Sequence, residues 1–439
     1  MVNATWIIGC KIIQVVLGMV ISALTVRHLG PSNFGVINYA AAIVSFIVPV
    51  VKLGLPHVLV QEIVCCPESE GEALGSSLVM SLISSAFCVV GVVSFVAITD
   101  SGNAETILVC ALYSLLLVAN AFELIQYWFQ AKLISKYTSV VSVIGYFLIS
   151  IYKIILIVNK QSVYWFAVSN AIDHLIIGIV LIIIYQKKSN HKLRFSWQYS
   201  KKLFGKSKFF IVSSMMVAIF VQTDKIMLKF MMGTAETGIY SAASECAVMA
   251  SFVFVAIIDS LRPTIVEHKK NNSPLYEKRM CLLYSIIIYM ALTQCILMTV
   301  CAKPIISILY GHDFMESTGI LTIVVWQTMF SYMGSVRNVW ILAEEKQRYL
   351  WVINLSGILT NVILNFTLIP IWGGGGAAIA SVMTQMLTNF VLGFILKPIR
   401  RSNYLMIQSI NPKFILDALR KKALGNSAHM DTGRGGEDV

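Results

Sequence analysis

Hydrophobic residues in this sequence come in blocks of about twenty, the length that an α-helix needs to cross a hydrocarbon core of roughly 30 Å. The gaps between blocks are too short to hold a soluble domain. The pattern therefore predicts an all-α polytopic membrane protein with about twelve transmembrane helices. The predicted spans are 6–26, 36–55, 75–98, 107–129, 138–158, 163–185, 209–231, 237–260, 280–301, 319–342, 350–369 and 375–396.

Lysine and arginine collect in alternate gaps, which is the positive-inside distribution of inner-membrane proteins. The gap at 187–208 alone contains eight of these residues and no acidic one. The N- and C-termini and this loop are therefore predicted to be cytoplasmic, in a bacterial inner membrane. One gap departs from the pattern, because residues 56–74 carry four glutamates and no Lys or Arg. Acidic residues weigh little in this rule, so the predicted orientation stands.

Composition and motifs exclude several classes of function. Only 13% of the 439 residues are charged, about half the fraction typical of a soluble domain. The net charge of +12 is not arranged as a basic stripe interleaved with aromatic residues, so nucleic-acid binding is not expected. Neither a His-Glu-x-x-His nor a Gly-x-Ser-x-Gly motif occurs, and no cysteine pair has metal-ligand spacing. We therefore predict no enzymatic activity, cofactor or metal, and we interpret the run Gly373 to Gly376 as a tight turn.

The turn after the first span recurs later in the chain. It reads Leu-Gly-Pro-Ser-Asn-Phe-Gly-Val at 29–36 and Met-Gly-Thr-Ala-Glu-Thr-Gly-Ile at 232–239, an offset of 203 residues. Each copy joins an outgoing helix to a returning one, which predicts two six-helix halves with the same topology. The predicted organisation is a bundle at 1–186, a basic cytoplasmic linker at 187–208, a second bundle at 209–396 and a cytoplasmic tail at 397–439.

Charged residues inside predicted spans are informative, because each costs free energy in lipid unless it faces a cavity or a partner. The basic residues predicted to line an anion-accepting cavity are Lys11, Lys52, Lys153, Lys225, Lys229 and Arg337. The acidic candidates for binding a coupling proton or Na⁺ are Asp173, Asp224 and Glu245. Asp224 is the weakest of these because the adjacent Lys225 favours a structural pair. Snorkelling and internal ion pairs are the alternative, and they fit Lys52 and Lys229 as well.

Short motifs at the ends of several spans resemble those of bacterial polysaccharide-unit flippases of the Wzx type. These flippases belong to the multidrug/oligosaccharidyl-lipid/polysaccharide exporter superfamily. The first motif is Arg27-x-Leu-Gly30-Pro-x-x-Phe-Gly35, and Tyr-Trp-Phe-Gln130 closes span four. Later motifs are Asp224-Lys-Ile with Gly-Ile-Tyr-Ser-Ala-Ala at 238–243, and Asn361-x-x-Leu-Asn365 with Ile-Pro370. The resemblance runs from about residue 5 to 396 and departs at Ala131, where many relatives have glycine.

The resemblance implies two six-helix bundles around a central cavity that opens to one side of the membrane at a time. It also implies a flippase for undecaprenyl-diphosphate-linked oligosaccharides, which serve O-antigen, capsule or exopolysaccharide assembly. The implied partners are this lipid-linked substrate, membrane lipid, a proton or Na⁺, and polymerase and chain-length regulator proteins.

Three alternatives stay open. A multidrug exporter of the same superfamily would be expected to have an acid-dominated cavity, whereas embedded cations here slightly outnumber acids. A polysaccharide polymerase or glycosyltransferase would need larger outer loops or a catalytic domain. A purely structural membrane partner is the third.

Overall fold

The computed structural model describes residues 2–411, with side chains from residue 13 onward, and this part of the chain contains helices and no strand. The helices are Val2–Val51 (α1), Pro56–Cys65 (α2), Glu70–Thr99 (α3), Ala104–Phe122 (α4), Gln126–Ala131 (α5), Lys136–Val158 (α6), Val163–Lys188 (α7), Trp197–Met232 (α8), Thr234–Val248 (α9), Ser251–Lys270 (α10), Leu275–Val300 (α11), Ala302–Leu309 (α12), Ser317–Ala343 (α13), Leu350–Met386 (α14), Leu392–Ile395 (α15) and Arg400–Gln408 (α16).

Among the described residues, nine helical stretches are long and apolar enough to cross a membrane, and the bent pair α9–α10 makes a tenth. Two of them, Ile13–Cys65 and Gln347–Ile395, have 53 and 49 residues. A helix of that length measures about 75 Å, more than twice the hydrocarbon thickness, so each holds two spans. The ten stretches thus provide twelve spans, and the predicted all-α polytopic fold is confirmed. The 40° bend between α9 and α10 interrupts the span predicted at 237–260.

Glycines divide the two double-length stretches. Gly30 has φ +69° and Gly373 has φ +54°, a left-handed backbone that glycine adopts without steric penalty. Pro31 then begins the returning helix, where its fixed φ is favourable and its missing N–H costs nothing. After Gly373, the main-chain N–H of Gly374 donates to Glu236 Oε1 at 2.6 Å, which satisfies one of the free donors at a helix start. The run that begins at Gly373 is therefore the tight turn that was predicted.

By proximity of their Cα atoms, the described residues form two compact units. Unit 1 comprises the described parts of 1–242, 306–317 and 361–377, and unit 2 those of 243–305, 318–360 and 378–439. The core of unit 1 packs Trp128 edge-on against Phe129 and Tyr185. In unit 2, Phe254 stacks on Tyr332 with ring centroids 4.0 Å apart. The predicted boundaries at 186, 208 and 396 stay predictions.

Candidate functional site

The two repeated turns meet within unit 1. Gly30 and Gly233 share a left-handed φ with an extended ψ (69°/173° and 94°/−176°). Farther along, Gly35 and Gly238 cross so closely that a Cβ on Gly35 would lie 2.9 Å from the Gly238 nitrogen, and one on Gly238 would lie 3.0 Å from the Gly35 nitrogen. The contact is reciprocal, and only glycine leaves room for it. This explains why both copies of the turn carry glycines five residues apart.

Arg27 binds the end of a short helix. Its Nε donates to the Leu309 carbonyl at 2.9 Å, and its Nη2 donates to the carbonyls of Ser307 and Ile308. The last carbonyls of a helix lack intrahelical partners, and a cation there also interacts favourably with the helix dipole. This motif residue therefore caps α12. Gln130, another motif residue, is exposed at the end of α5, where its carbonyl accepts from the N–H of Leu133.

Asp224 connects three of the motifs. Its Oδ1 accepts hydrogen bonds from Asn361 Nδ2 at 2.9 Å and from Asn365 Nδ2 at 2.7 Å. Its Oδ2 accepts from the Tyr240 hydroxyl at 2.6 Å. Asn361 and Asn365 are four residues apart and therefore share one face of α14. All four side chains are buried, so these bonds supply the partners that a buried carboxylate requires.

Lys225 and Lys229 lie one turn apart on α8 and contact the returning part of α1. Lys225 Nζ donates to Asn38 Oδ1 at 2.8 Å. Lys229 forms an ion pair with Asp100 and lies 4.7 Å from the centroid of the Tyr39 ring. The two lysines share one face of α8, as the i,i+4 spacing implies. Their predicted role in a cavity stays a prediction.

A second charged cluster lies around α7. Lys52 Nζ is 2.9 Å from Glu123 Oε2, and His174 Nδ1 is 2.5 Å from Glu123 Oε1. Lys52 was predicted from the sequence to line a cavity, whereas no role was predicted for His174. The only signal in the sequence is the position of this histidine, in the middle of an apolar block of 163–185.

One turn before His174 on α7, Asn170 Oδ1 accepts a hydrogen bond from Lys153 Nζ of α6 at 3.3 Å, and Asn170 Nδ2 donates to the Tyr113 hydroxyl at 3.1 Å. Asp173 Oδ1 is buried and accepts no hydrogen bond from any described residue. These groups extend the polar surface from the Lys52 cluster along α7. Lys153 is hydrogen-bonded to Asn170, and Asp173 lies within one turn of Asn170 on α7. Both residues are therefore in the same region of unit 1.

Unit 2 holds Arg337, which is only 3% exposed. Its Nη1 donates to the Thr388 carbonyl at 2.6 Å, and its Nε has no hydrogen-bond partner among the described residues. Thr388 belongs to a π-helical turn, Leu387–Val391, a distortion that often marks functional sites. Glu245 is half-buried in unit 2, and Lys11 lies outside the described side chains.

The acidic gap at 56–74 pairs with basic gaps. Glu62 accepts hydrogen bonds from Lys206 at 2.6 Å, from Lys202 and from the Tyr199 hydroxyl at 2.9 Å. Glu70 forms an ion pair with Lys132 at 2.8 Å. Three loops that the charge rule assigns to one side of the membrane therefore meet at one end of unit 1. Glu62 thus neutralises part of the charge of the basic linker, and Glu70 neutralises Lys132.

The fold and these embedded charges define a multi-pass membrane protein. A family model described as "Polysaccharide biosynthesis protein" matches residues 1–269, so the chain belongs to that family. It is 22% identical over 396 residues to the capsular polysaccharide biosynthesis protein CapF of Staphylococcus aureus, across 87% of this chain and 96% of CapF.

Two solved structures show the same fold. The lipid II flippase MurJ, in an inward closed conformation, superposes with a TM-score of 0.68 at 13% identity, over 94% of this chain and 92% of MurJ. An inward-facing multidrug resistance transporter of the MATE family superposes with a TM-score of 0.65 at 12% identity, over 89% of this chain and 95% of the transporter's chain. The predicted membership of a polysaccharide biosynthesis family is confirmed.

Proposed function

We propose that the chain flips undecaprenyl-diphosphate-linked oligosaccharide repeat units across the bacterial inner membrane, for assembly of O-antigen, capsule or exopolysaccharide. The observation that carries this proposal is the family match, together with the likeness to CapF along nearly its whole length. The N- and C-termini and the 187–208 linker are cytoplasmic in this proposal, and polymerase and chain-length regulator proteins act on the exported product.

The chemistry of the substrate explains what the protein must supply. Each sugar hydroxyl would lose its hydrogen bonds to water in hydrocarbon, so an oligosaccharide needs a polar path while its lipid tail stays in the bilayer. The diphosphate is anionic and needs cations along that path. Lys52, Lys153, Lys225 and Lys229 all lie on spans of unit 1, and Arg337 adds a buried cation in unit 2. These residues are the proposed contacts for the diphosphate.

Asp173, Asp224 and Glu245 are the proposed sites for a coupling proton or Na⁺. A carboxylate inside a span is costly unless it binds a cation or a hydrogen-bond donor. Asp224 faces three neutral donors from Asn361, Asn365 and Tyr240. These donors come from α9 and α14 and fix the position of the carboxylate within unit 1.

The proposal can be tested in a strain that lacks its own repeat-unit flippase and accumulates lipid-linked repeat units. Expression of this chain should restore surface polysaccharide and remove the accumulated precursor. A variant with Lys225→Ala, inserted at the same level, should restore less. Resistance to cationic drugs without restored polysaccharide would instead identify a multidrug exporter. Longer glycan chains on lipid that remains at the cytoplasmic face would identify a polymerase.

A further inference from the structure

The histidine on α7 is placed by close helix packing. A Cβ added at Gly178 would lie 2.6 Å from the Phe122 Cβ, so α7 and the end of α4 approach as closely as glycine allows. His174 is one turn before Gly178 and Glu123 directly follows Phe122, so this crossing sets the imidazole against the carboxylate. The resulting Nδ1–Oε1 distance is 2.5 Å. Lys52, from the end of α1, completes the cluster at 2.9 Å from the other carboxylate oxygen.

The cluster is partly open at the histidine. The side chains of Lys52 and Glu123 are 17% and 18% exposed, whereas that of His174 is 34% exposed. A polar side chain that the protein leaves uncovered within a span faces water rather than lipid, since lipid offers it no hydrogen bond. His174, which can take up and release a proton, is therefore also the most solvent-accessible member of the cluster. Lys52 and Glu123, whose charges neutralise each other, are more deeply buried.

Other titratable groups surround the pair on every element packed against it. Asp173 adjoins His174 on α7, and its Oδ1 is buried without a hydrogen-bond donor among the described residues. A Cβ on Gly145 of α6 would lie 3.3 Å from that oxygen. Further titratable groups near His174, Glu123 or Asp173 include Lys52, which directly follows α1, Tyr127 of α5, and Tyr146 and Lys153 of α6.

We infer that Lys52, Glu123 and His174 form a proton-binding site that couples transport to the pH gradient, an inference that rests on the proposed function. Glu123 can only accept a hydrogen bond when ionised, so His174 Nδ1 carries a hydrogen and donates it. The proton that moves is the one on Nε2. It comes from solvent water when the site fills and returns to water when the site empties, while the bond to Glu123 persists.

Proton binding changes the charge that an anionic substrate meets. With His174 neutral, the charges of Lys52 and Glu123 cancel, and a bound proton gives the cluster one net positive charge. An anion in the same part of the transporter is then bound more tightly, and by linkage the anion also tightens proton binding. Proton and diphosphate then move together, so a pH gradient that is acidic on the side where the substrate loads accelerates transfer to the other side.

The test compares wild-type protein, His174→Gln and a control, His28→Gln, in proteoliposomes containing a lipid-linked oligosaccharide. Glutamine can still donate to Glu123 but cannot take up a proton. His28 contacts the Gln161 carbonyl and the Phe166 ring in the same unit. We expect an imposed pH gradient to accelerate flipping by about tenfold in wild-type and His28→Gln protein. His174→Gln should flip without a gradient but show no acceleration.

A full response to the gradient in His174→Gln would overturn the inference, as would a wild-type response to Na⁺ but not to pH. Wild-type protein that flips no lipid-linked oligosaccharide would refute the proposed function instead. In that case a second measurement, made in the absence of substrate, tests whether His174 binds a proton. In histidine-labelled protein in nanodiscs, the imidazole NMR signal absent from His174→Gln should shift as the pH of the sample is varied. A signal that stays constant at every pH at which the protein remains folded contradicts the inference, and His174→Asn replaces His174→Gln in both assays should the latter fail to insert.

Discussion

The crossing of the two repeated turns predicts a large effect from one methyl group. In Gly35→Ala, the new Cβ would lie 2.7 Å from the Thr234 carbonyl carbon and 2.9 Å from the Gly238 nitrogen. The Thr234 carbonyl oxygen would lie closer still. Optimal separation of such atoms is about 3.5–4.0 Å, so the two backbones must move apart by more than about 1 Å. Overpacking of this kind typically costs about 1–3 kcal/mol. The gain from replacing glycine by alanine in a helix, about 1 kcal/mol, offsets only part of it.

Gly91→Ala is the matched control, since Gly91 lies within α3 and an added Cβ there meets no atom within 4 Å. Both variants receive the same helix-propensity gain, so their difference isolates the crossing. Unfolding of the purified proteins can be followed by the reaction of buried cysteines with a thiol-reactive fluorophore on heating. Cys110, Cys246, Cys281 and Cys295 are buried and report loss of packing. We expect Gly35→Ala to unfold at lower temperature than wild type, and Gly91→Ala at the same or a higher one. Equal unfolding temperatures for the two variants would refute the steric argument.

Further predictions concern the other contacts of unit 1. Ser32 Oγ and Thr234 Oγ1 are 3.1 Å apart, so a Ser32→Cys/Thr234→Cys protein should form a disulfide on oxidation, seen as a reductant-sensitive change in gel mobility; no cross-link would show that these turns do not meet. Glu62→Gln should destabilise the protein by about 1–3 kcal/mol because it removes the negative charge that pairs with two lysines, whereas Lys202→Gln should cost less because Lys206 still pairs with Glu62. An equal cost measured by the thiol assay contradicts this account. Asp224→Asn should lower gradient-driven flipping more than Asp259→Asn does, since Asp259 is exposed and paired only along its own helix with Arg262; equal rates would remove Asp224 from the coupling proposal.

The spans were predictable because their signal is local. A block of about twenty apolar residues is sufficient evidence for a transmembrane helix, whatever it packs against. The turns at Gly30 and Gly373 were predictable for the same reason, since glycine at a helix end indicates left-handed backbone. The bend between α9 and α10 was not predicted. The apolar block continues through residues 249–250, so hydrophobicity alone carries no sign of the break.

The pairing of charged side chains could not be predicted from the sequence. Glu123 and His174 are 51 residues apart, and Asp224 and Asn365 are 141 residues apart, so which groups meet depends on how the helices pack. The acidic gap at 56–74 was set aside because the charge rule counts lysine and arginine. Only the structure shows that Glu62 and Glu70 bind residues of the basic loops. Neighbours in sequence were also a poor guide, because Asp224 accepts hydrogen bonds from α9 and α14.

Reconstitution of the purified chain tests the central claim most directly. A fluorescent undecaprenyl-diphosphate-linked oligosaccharide is placed in both leaflets of proteoliposomes, and a membrane-impermeant glycosidase outside removes its sugars. We predict that wild-type protein exposes the whole pool to the enzyme, whereas protein-free vesicles expose only the outer leaflet. Lys153→Ala and Lys225→Ala should each slow the exposure of inner-leaflet substrate to the enzyme by about tenfold, since a hydrogen bond to a charged group contributes about 1.5–3 kcal/mol. Lys278→Ala, which replaces an exposed lysine, should leave this rate unchanged. Wild-type vesicles that expose no more substrate than protein-free ones would contradict the account.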